Sequence, residues 1–224
     1  MPEIGNLVYF LLKWFHFLAG ITWIGVLYYF NFIQGAFFAE TTPEVKTAAT
    51  QKLVPRALWW FRWGAMFTII TGWSMIGYKM SHGETFTTGW SVLILIGALM
   101  GTFMWANVWF VIWPAQKLAI AAANGQKVDG LAARARRAFL ASRTNTLLSI
   151  PMLFFMGAAR NLTLAPKDPV IWYIVAGAIV LLVEINALVA TKGVTTAPIE
   201  KVKGVITSGF ILTAVFFGVI FFLR

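Results

Sequence analysis

Hydrophobic residues occur along this 224-residue chain in six long runs, and most charged residues lie in the segments between them. A helix needs about 20 residues to cross roughly 30 Å of hydrocarbon at about 1.5 Å per residue. Runs near this length predict six membrane-spanning helices, at residues 6–33, 57–79, 89–114, 144–160, 169–191 and 204–223. The predicted fold is an all-α, polytopic membrane helix bundle, with residues 1–224 forming one transmembrane domain.

The fourth predicted helix has the weakest pattern, since Arg143 and Arg160 bracket only sixteen residues and Pro151 interrupts them. Snorkelling arginines and a proline kink accommodate both features. The first apolar run lacks a small-residue cleavage site, and we interpret it as a retained helix that is not a signal peptide.

The composition agrees with a membrane protein, because 59% of the residues are hydrophobic and only 12% are charged, against about 25% charged in soluble domains. The absence of cysteine excludes disulfides, iron–sulfur clusters, thiolate zinc sites and covalently attached c-type haem. The formal net charge is +10, but the basic residues fall between apolar runs. Membrane orientation explains them, and no nucleic-acid partner is predicted.

Six crossings place both termini on one side of the lipid bilayer. That side holds five of the Lys and Arg residues and the other side holds thirteen. The positive-inside rule therefore predicts that both termini face outward. On the cytoplasmic side, the basic segment of residues 121–143 predicts a turn followed by an interfacial helix that contacts lipid.

His16, Gly20 and Trp23 lie on one face of the first predicted helix. A polar ring inside a membrane is costly without a partner. Because Gly20 has no side chain, it leaves a flat slot beside the imidazole, wide enough for a porphyrin plane or a closely packed helix. Two hypotheses stay open: His16 is the metal ligand of a b-type haem, or it is hydrogen-bonded across a helix interface.

If haem binds, its sixth coordination position is either empty or filled by a second side chain. Four side chains are candidates for that position: Met75, Met152, Met156 and His82. Gly97 and Gly101 form a GxxxG pair on the third predicted helix, which indicates another close approach between helices.

The cytoplasmic half of the predicted bundle carries a second set of polar residues: Asn31, Arg62, Asn107, Glu184 and Asn186. Glu184 is the only carboxylate inside a predicted span, and an unpaired buried carboxylate is protonated. We expect Arg62 to be its cationic partner. The pair would form an anion or proton site, or a structural tie between two helices, unless Arg62 snorkels among neighbouring tryptophans.

Three segments resemble the membrane domain of the bacterial urate hydroxylases, which are integral-membrane urate oxidases. Their sequences are HFLAGITWIGVLYYFNFIQG, VPRALWWFRWGAMFTIITGW and RAFLASRTNTLLSIPMLFFM. A weaker similarity, in the first-helix histidine followed by a WxG-type phrase and in the basic loop before a proline-containing helix, is to the membrane protoporphyrinogen oxidases. That family is held to carry a b-type haem.

The urate hydroxylase resemblance implies urate oxidation at the bacterial inner membrane, with water supplying oxygen and electrons passing to a fused cytochrome c domain. This chain has no CxxCH motif, and six helices are predicted where the family is described with eight. We therefore expect a separate periplasmic cytochrome c to take the electrons, or the activity to be lost or changed.

Within that resemblance, the predicted site residues fall into two groups. Arg62 and Asn107 would hold the urate anion, because a planar guanidinium pairs with a flat heterocycle at two points, and Glu184 would move protons. The b-type haem would be held by four residues: His16, Gly20, Trp23 and Met152.

Two other functions stay open. The chain is also compatible with a haem-b or haem-free accessory subunit of a larger respiratory or oxygenase membrane complex. A small-anion transporter is the third hypothesis, although no inverted repeat is evident. The GxxxG pair and the basic loop permit an oligomer without specifying one.

Overall fold

The structure is a computed structural model that describes residues 4–224, and all regular elements in this part of the chain are helical. The α-helices are α1 (Ile4–Tyr28), α2 (Gly35–Glu40), α3 (Pro43–Lys52), α4 (Val54–Ser81), α5 (Gly89–Ala106), α6 (Trp113–Ala123), α7 (Leu131–Asn161), α8 (Pro169–Val189), α9 (Ala197–Glu200) and α10 (Val202–Phe222). Two π-helical segments, π1 (Tyr29–Gln34) and π2 (Asn107–Ile112), join α1 to α2 and α5 to α6. The all-α prediction is confirmed. The prediction of one domain stays a prediction, and residues 1–3 lie outside the described residues.

The described part of the chain has six long helical segments: α1–π1–α2, α4, α5–π2–α6, α7, α8 and α10. Contacts between their ends show that they run alternately up and down. Gly5 at the start of α1 lies against the hydroxyl of Tyr78 near the end of α4. The backbone N–H of Lys167, which precedes α8, donates to the carbonyl of Leu223 after α10 (2.9 Å). Both ends of the described chain therefore lie at the end of the bundle that carries His82, called the His82 end below. The opposite end, which carries α3, is called the α3 end.

Four segments of the described chain are long and apolar enough to cross a membrane: Ile4–Glu40, Gly89–Ala123, Pro169–Val189 and Val202–Phe222. Helices α8 and α10 also turn large apolar side chains outward, such as Leu182 and Phe210. These features are those of a membrane protein, in which such side chains contact lipid. Helices α4 and α7 have sufficient length but more polar sequences, so their membrane crossings stay predictions.

Helix α7 lies against more of the other helices than any other element, and it buries an unusual number of polar side chains. The predicted interfacial helix and the fourth predicted span are one continuous helix in the structure, because α7 runs through both. The expected turn before it is present, with Gly125 and Gly130 at φ values of +84° and +68° that favour glycine.

Pro151 lies inside α7 and cannot donate a backbone hydrogen bond to the carbonyl of Leu147. Gly209 of α10 faces this carbonyl, and a Cβ built there would lie 3.1 Å from its oxygen. The missing side chain thus allows α10 to pack closely at the position where proline interrupts the ladder of α7.

Gly64 makes a similar close contact between α1 and α4. A Cβ at this position would lie 3.1 Å from the backbone nitrogen of Trp23 and 3.3 Å from the carbonyl oxygen of Ala19. Gly77 on the same helix faces open space, with nothing within 4 Å of a built Cβ. The contact at Gly64 is between backbones, so a side chain there requires the two helices to move apart.

We expect Gly64→Leu to lower the free energy of unfolding by about 1–3 kcal/mol, the usual cost of overpacking. Gly77→Leu is the matched control and is expected to unfold at the wild-type temperature or slightly above it. Thermal unfolding of the purified protein in detergent measures both. Equal melting temperatures for the two variants would show that close packing of α1 on α4 is not a constraint.

Candidate functional site

A cavity of about 810 Å³ lies between α1, α4, α5 and α7 towards the His82 end. Helix α1 packs chiefly along α4, and α5 packs chiefly along α7, so the cavity lies between these two helix pairs. Its volume falls within the roughly 300–1,000 Å³ typical of small-molecule and cofactor sites. All four predicted cofactor-binding residues line it: His16, Gly20, Trp23 and Met152.

The imidazole of His16 is held by α4 through one ring nitrogen. Nδ1 lies 3.0 Å from the carbonyl oxygen of Thr68 and 3.0 Å from the hydroxyl oxygen of Thr71. A carbonyl can only accept, and the Thr71 hydroxyl donates to the carbonyl of Phe67 (2.6 Å). Nδ1 therefore carries the proton, and Nε2 keeps its lone pair.

Nε2 of His16 makes no hydrogen bond within residues 4–224. The Nδ1–Cε1 edge of the ring faces α4, since a Cβ built at Gly72 would lie 3.1 Å from Cε1. The ring is one wall of the cavity. An imidazole fixed through Nδ1–H with Nε2 unbonded is the arrangement found in metal-ligating histidines.

Gly20 leaves open space one turn after His16. A Cβ built at Gly20 would meet no atom within 4 Å. In a closely packed core, the space at such a helical position is normally occupied by atoms of neighbouring side chains. The slot expected beside the imidazole is therefore open, and Gly72 provides a second side-chain-free surface on the α4 side of the ring. Sequence analysis identified Gly20 but not Gly72, Thr68 or Thr71.

Trp23 and three methionines also line the cavity. Trp23 is only 1% exposed, and its indole Nε1–H has no acceptor within the described residues. Met75, Met152 and Met156 all line the same space. The close approach predicted at Gly97 and Gly101 is present, because these glycines face Met156 and Met152 of α7.

The end of the cavity nearest His82 is positively charged. Lys13, Lys79 and Arg160 line it, and no carboxylate is among the described residues that do. Lys79 is in part neutralised by Glu84, 3.7 Å away. An anionic group bound in the cavity would be attracted to this end.

His82 does not line this cavity, although it is one of the four candidates for a second axial ligand. Its ring stacks on Tyr78 with centroids 4.0 Å apart, and its Nδ1 lies 2.8 Å from the Tyr78 carbonyl oxygen. A carbonyl needs a donor, so this nitrogen is protonated. The structure therefore leaves Met75, Met152 and Met156 as the candidates that face the same space as His16.

The expected ion pair between Arg62 and Glu184 is wrong. The ion pairs among residues 4–224 join Lys79 to Glu84 and Arg136 to Glu200. Helix α4 carries Arg62 and α8 carries Glu184, and both helices pack against the α5–π2–α6 segment. That segment offers aromatic rings to Arg62 and an amide to Glu184.

Arg62 lies among three tryptophans. Its guanidinium carbon is 4.1 Å from the ring centroid of Trp113, and the rings of Trp109 and Trp63 are 5.7 Å and 6.0 Å away. Cation–π contacts of this kind are worth about 0.5–2 kcal/mol. Nε of Arg62 remains buried without a partner among the described residues.

Glu184 belongs to a different polar cluster, formed with Asn107 and Asn145. The amide nitrogen of Asn107 donates to Glu184 Oε2 (3.1 Å) and to Asn145 Oδ1 (2.9 Å), and Asn145 Nδ2 donates to the carbonyl of Met104 (2.9 Å). All three side chains are buried, Glu184 at 4% exposure. The cluster ties α8 to π2 and α7 and holds a carboxyl group inside the bundle.

Asn107 is the first residue of π2, and Asn31 lies within π1. π-Helical turns inside α-helices often occur at functional sites. Asn31 Nδ2 donates to the hydroxyl of Ser142 (2.8 Å), so both irregular segments face polar residues of α7. Sequence analysis missed Asn145, Ser142 and the burial of Arg143, for which the polar run SRTNT was the available signal.

The predicted set of five cytoplasmic-half residues is therefore not one site. Asn31 contacts α7, Arg62 contacts tryptophans, and Asn186 Nδ2 donates to the carbonyl of Thr195 (3.2 Å) in the loop after α8. Only Asn107 and Glu184 contact each other.

A family model described as urate oxidase N-terminal matches residues 76–217, which is more than half of the chain. The match covers Asn107, Met152 and Glu184, whereas His16 and Arg62 precede it. No curated protein and no solved structure matches the chain.

We expect Asn107→Ala to lower the free energy of unfolding by about 1–3 kcal/mol, because it leaves buried groups of Glu184 and Asn145 without partners. Glu184→Gln keeps a carbonyl oxygen that accepts from Asn107 and is expected to cost less. Thermal unfolding of both variants in detergent measures the difference. A larger loss in Glu184→Gln than in Asn107→Ala would contradict this role for the asparagine.

Proposed function

Since this chain belongs to the urate oxidase N-terminal family, we propose that it is an integral-membrane oxidoreductase that oxidises urate and passes the electrons through a b-type haem to a separate periplasmic cytochrome c. Family membership indicates an oxidoreductase-like function related to urate. Hydroxylation of urate by water adds one oxygen atom and releases two protons and two electrons. Such an enzyme needs a place for the substrate, a route for protons and an electron acceptor.

The observation that carries the proposal is that Nε2 of His16, at the wall of the cavity of about 810 Å³, makes no hydrogen bond within the described residues. A histidine that served only to join two helices would need just the Nδ1 contact, and Nε2 would be packed or hydrogen-bonded. Instead, Nε2 makes no hydrogen bond within the described residues, and Gly20 leaves open space one turn further along α1 in the same cavity. An imidazole lone pair beside a flat open space fits the requirements of a haem iron.

The other walls of the cavity also fit a haem. Met152 offers a thioether that is a known axial ligand type, and Trp23 offers a flat wall whose N–H has no acceptor in the described part of the chain. Lys13, Lys79 and Arg160 would pair with the two propionates of the porphyrin. When bound, a b-type haem would supply one-electron transfer between substrate and an external acceptor.

We expect the purified protein to bind added haem b with a Soret band that is lost in His16→Ala, because that variant lacks the ligating nitrogen. His82→Ala is the matched control, since it removes the other histidine of the chain, which lies outside the cavity. Absorbance spectra and a pyridine haemochrome assay measure bound haem, and gel filtration verifies that both variants are folded. Equal bands in His16→Ala and His82→Ala would rule out His16 as the ligand.

Glu184 and Asn107 are proposed as the route for protons. The carboxyl group of Glu184 is buried inside the bundle, and no cation lies within 4 Å of it among the described residues. It accepts one hydrogen bond, from Asn107. Such a group exchanges a proton more readily than one fixed in an ion pair. Asn107 would hold the carboxyl group in position.

Arg62 is proposed to contact urate, as predicted from the resemblance. Its guanidinium is not engaged by Glu184, and its Nε is buried without a partner in the described residues. The tryptophans around it provide flat surfaces against which a purine ring can stack. An anion held there would lie towards the α3 end, away from the haem cavity.

We expect membranes containing the protein and added cytochrome c to consume urate and reduce the cytochrome. Arg62→Ala is expected to raise KM roughly tenfold or more by removing charged hydrogen bonds, and Glu184→Gln to lower kcat roughly 100-fold or more by removing the proton carrier. The KM and kcat of each variant are obtained by following the decrease in urate absorbance and the reduction of cytochrome c. Wild-type kinetics in both variants would remove these residues from the reaction.

We further propose six membrane crossings in the bacterial inner membrane, with both termini outward. The alternating direction of the six long helical segments supports this topology. The α3 end carries the larger share of basic residues, including Arg134, Arg136 and Arg137 at the start of α7. By the positive-inside rule that end faces the cytoplasm, which puts the haem cavity near the periplasmic side where a cytochrome c would dock.

A further inference from the structure

The guanidinium of Arg143 is buried in the bundle without a counter-charge. Arg143 is 8% exposed, and no carboxylate lies within 4 Å of its guanidinium in the described part of the chain. Its contacts are a long hydrogen bond from Nη1 to the carbonyl oxygen of Asn31 (3.5 Å) and the ring of Phe139, 5.1 Å from the guanidinium carbon. Nε has no partner among these residues.

This arrangement is unfavourable as a purely structural feature. A buried cation costs several kcal/mol unless a negative charge or several good hydrogen bonds compensate it. Surface arginines of the same helix, such as Arg137, avoid this cost by remaining exposed. The other buried polar residues of α7 that lie nearby, such as Asn145, have good hydrogen bonds. Arg143 is therefore the exception on this helix.

The surroundings of Arg143 are suited to a small, flat anion. The site lies where α7 faces π1, and π1 holds Asn31 in a π-helical turn. The same segment ends at Gln34, whose side-chain oxygen is also buried without a donor among the described residues. The Nε–H of Arg143, which has no partner among these residues, can donate to a flat heterocyclic anion, and the ring of Phe139 lies beside the same guanidinium.

We propose that Arg143, at the junction of π1 and α7, forms a second anion-binding site of this protein and that it takes urate or a closely similar flat heterocyclic anion. This inference rests on the proposed function, because that function makes urate the substrate, and it adds a cation that is distinct from Arg62. The two arginines lie on different helices and contact different aromatic side chains. The positive charge of Arg143 is compensated only when the anion is bound.

The test measures binding of urate to the full-length protein in detergent, by thermal stabilisation and by equilibrium dialysis. Wild type is expected to bind urate saturably at two sites, and Arg143→Gln to bind it at least tenfold more weakly at one of them. Arg143→Lys keeps the charge but loses the planar pair of donors, and an intermediate loss is expected. Arg137→Gln, an exposed arginine two turns earlier in the same helix, is the matched control and is expected to bind like wild type.

The same variants distinguish a binding role from a structural one. If Arg143 serves to bind an anion, Arg143→Met removes an uncompensated charge. Without urate, this variant is then expected to melt at or above the wild-type temperature. A lower melting temperature of Arg143→Met together with unchanged urate affinity of Arg143→Gln would overturn the proposal and mark the arginine as a packing residue.

Lipid phosphate is the other source of negative charge. Wild type is therefore compared in nanodiscs of phosphatidylcholine alone and of phosphatidylcholine with phosphatidylglycerol, with inorganic phosphate as a soluble competitor. Stabilisation by the anionic lipid that depends on Arg143, with no effect of urate, would overturn the assignment of a heterocyclic anion.

The binding and turnover results also separate this inference from the proposed function. Urate binding that is lost in Arg143→Gln, without any oxidation by wild type, would sustain the site and refute the oxidase. Urate oxidation by wild type with unchanged binding in Arg143→Gln would sustain the oxidase and refute the site.

Discussion

The buried polar side chains of α7 need hydrogen-bond partners inside an apolar bundle, and this constraint arranges the neighbouring helices. Within an apolar medium each unsatisfied polar group costs several kcal/mol. Ser142 is therefore met by Asn31 of π1, Ser149 by Tyr28 of α1, and Asn145 by Asn107 of π2. Each hydrogen bond fixes the rotation of one helix about its axis relative to α7. Apolar packing alone would leave that rotation less well defined.

The same constraint separates the two ends of the bundle. At the α3 end, hydrogen bonds and aromatic contacts draw α1, π2 and α8 onto α7 and hold Glu184 inside the protein. At the His82 end, α1 packs along α4 and α5 packs along α7, leaving the cavity between these pairs. Gly20 and Gly72 keep this space free of side chains beside His16. The result is a dense polar half and an open half that presents one imidazole.

Exceptions to polar satisfaction are few among the described residues, and most of them fall where a proposed ligand would lie. The lone pair of His16 Nε2 and the indole N–H of Trp23 belong to the cavity, while the guanidiniums of Arg62 and Arg143 lie near the α3 end. Proteins tolerate such costs mainly at sites where binding removes them. Trp105 also has an indole N–H without a partner among the described residues, and it lies outside the cavity, packed edge-on against Phe110.

Run length and hydrophobic pattern depend only on local order, so they were enough to predict most helical segments. The predicted spans 57–79 and 169–191, for example, end within three residues of the ends of α4 and α8. The same pattern showed which residues share a helix face, as His16, Gly20 and Trp23 do. Which helices meet could be read only from the folded structure. Glu184 bonds to Asn107 and not to Arg62, and Arg143 is buried beside π1, because a sequence gives the depth of a residue along its helix but not the neighbour across the interface. Hydrogen bonds and charges act over a few ångströms, so their partners are fixed by packing between helices distant in the chain.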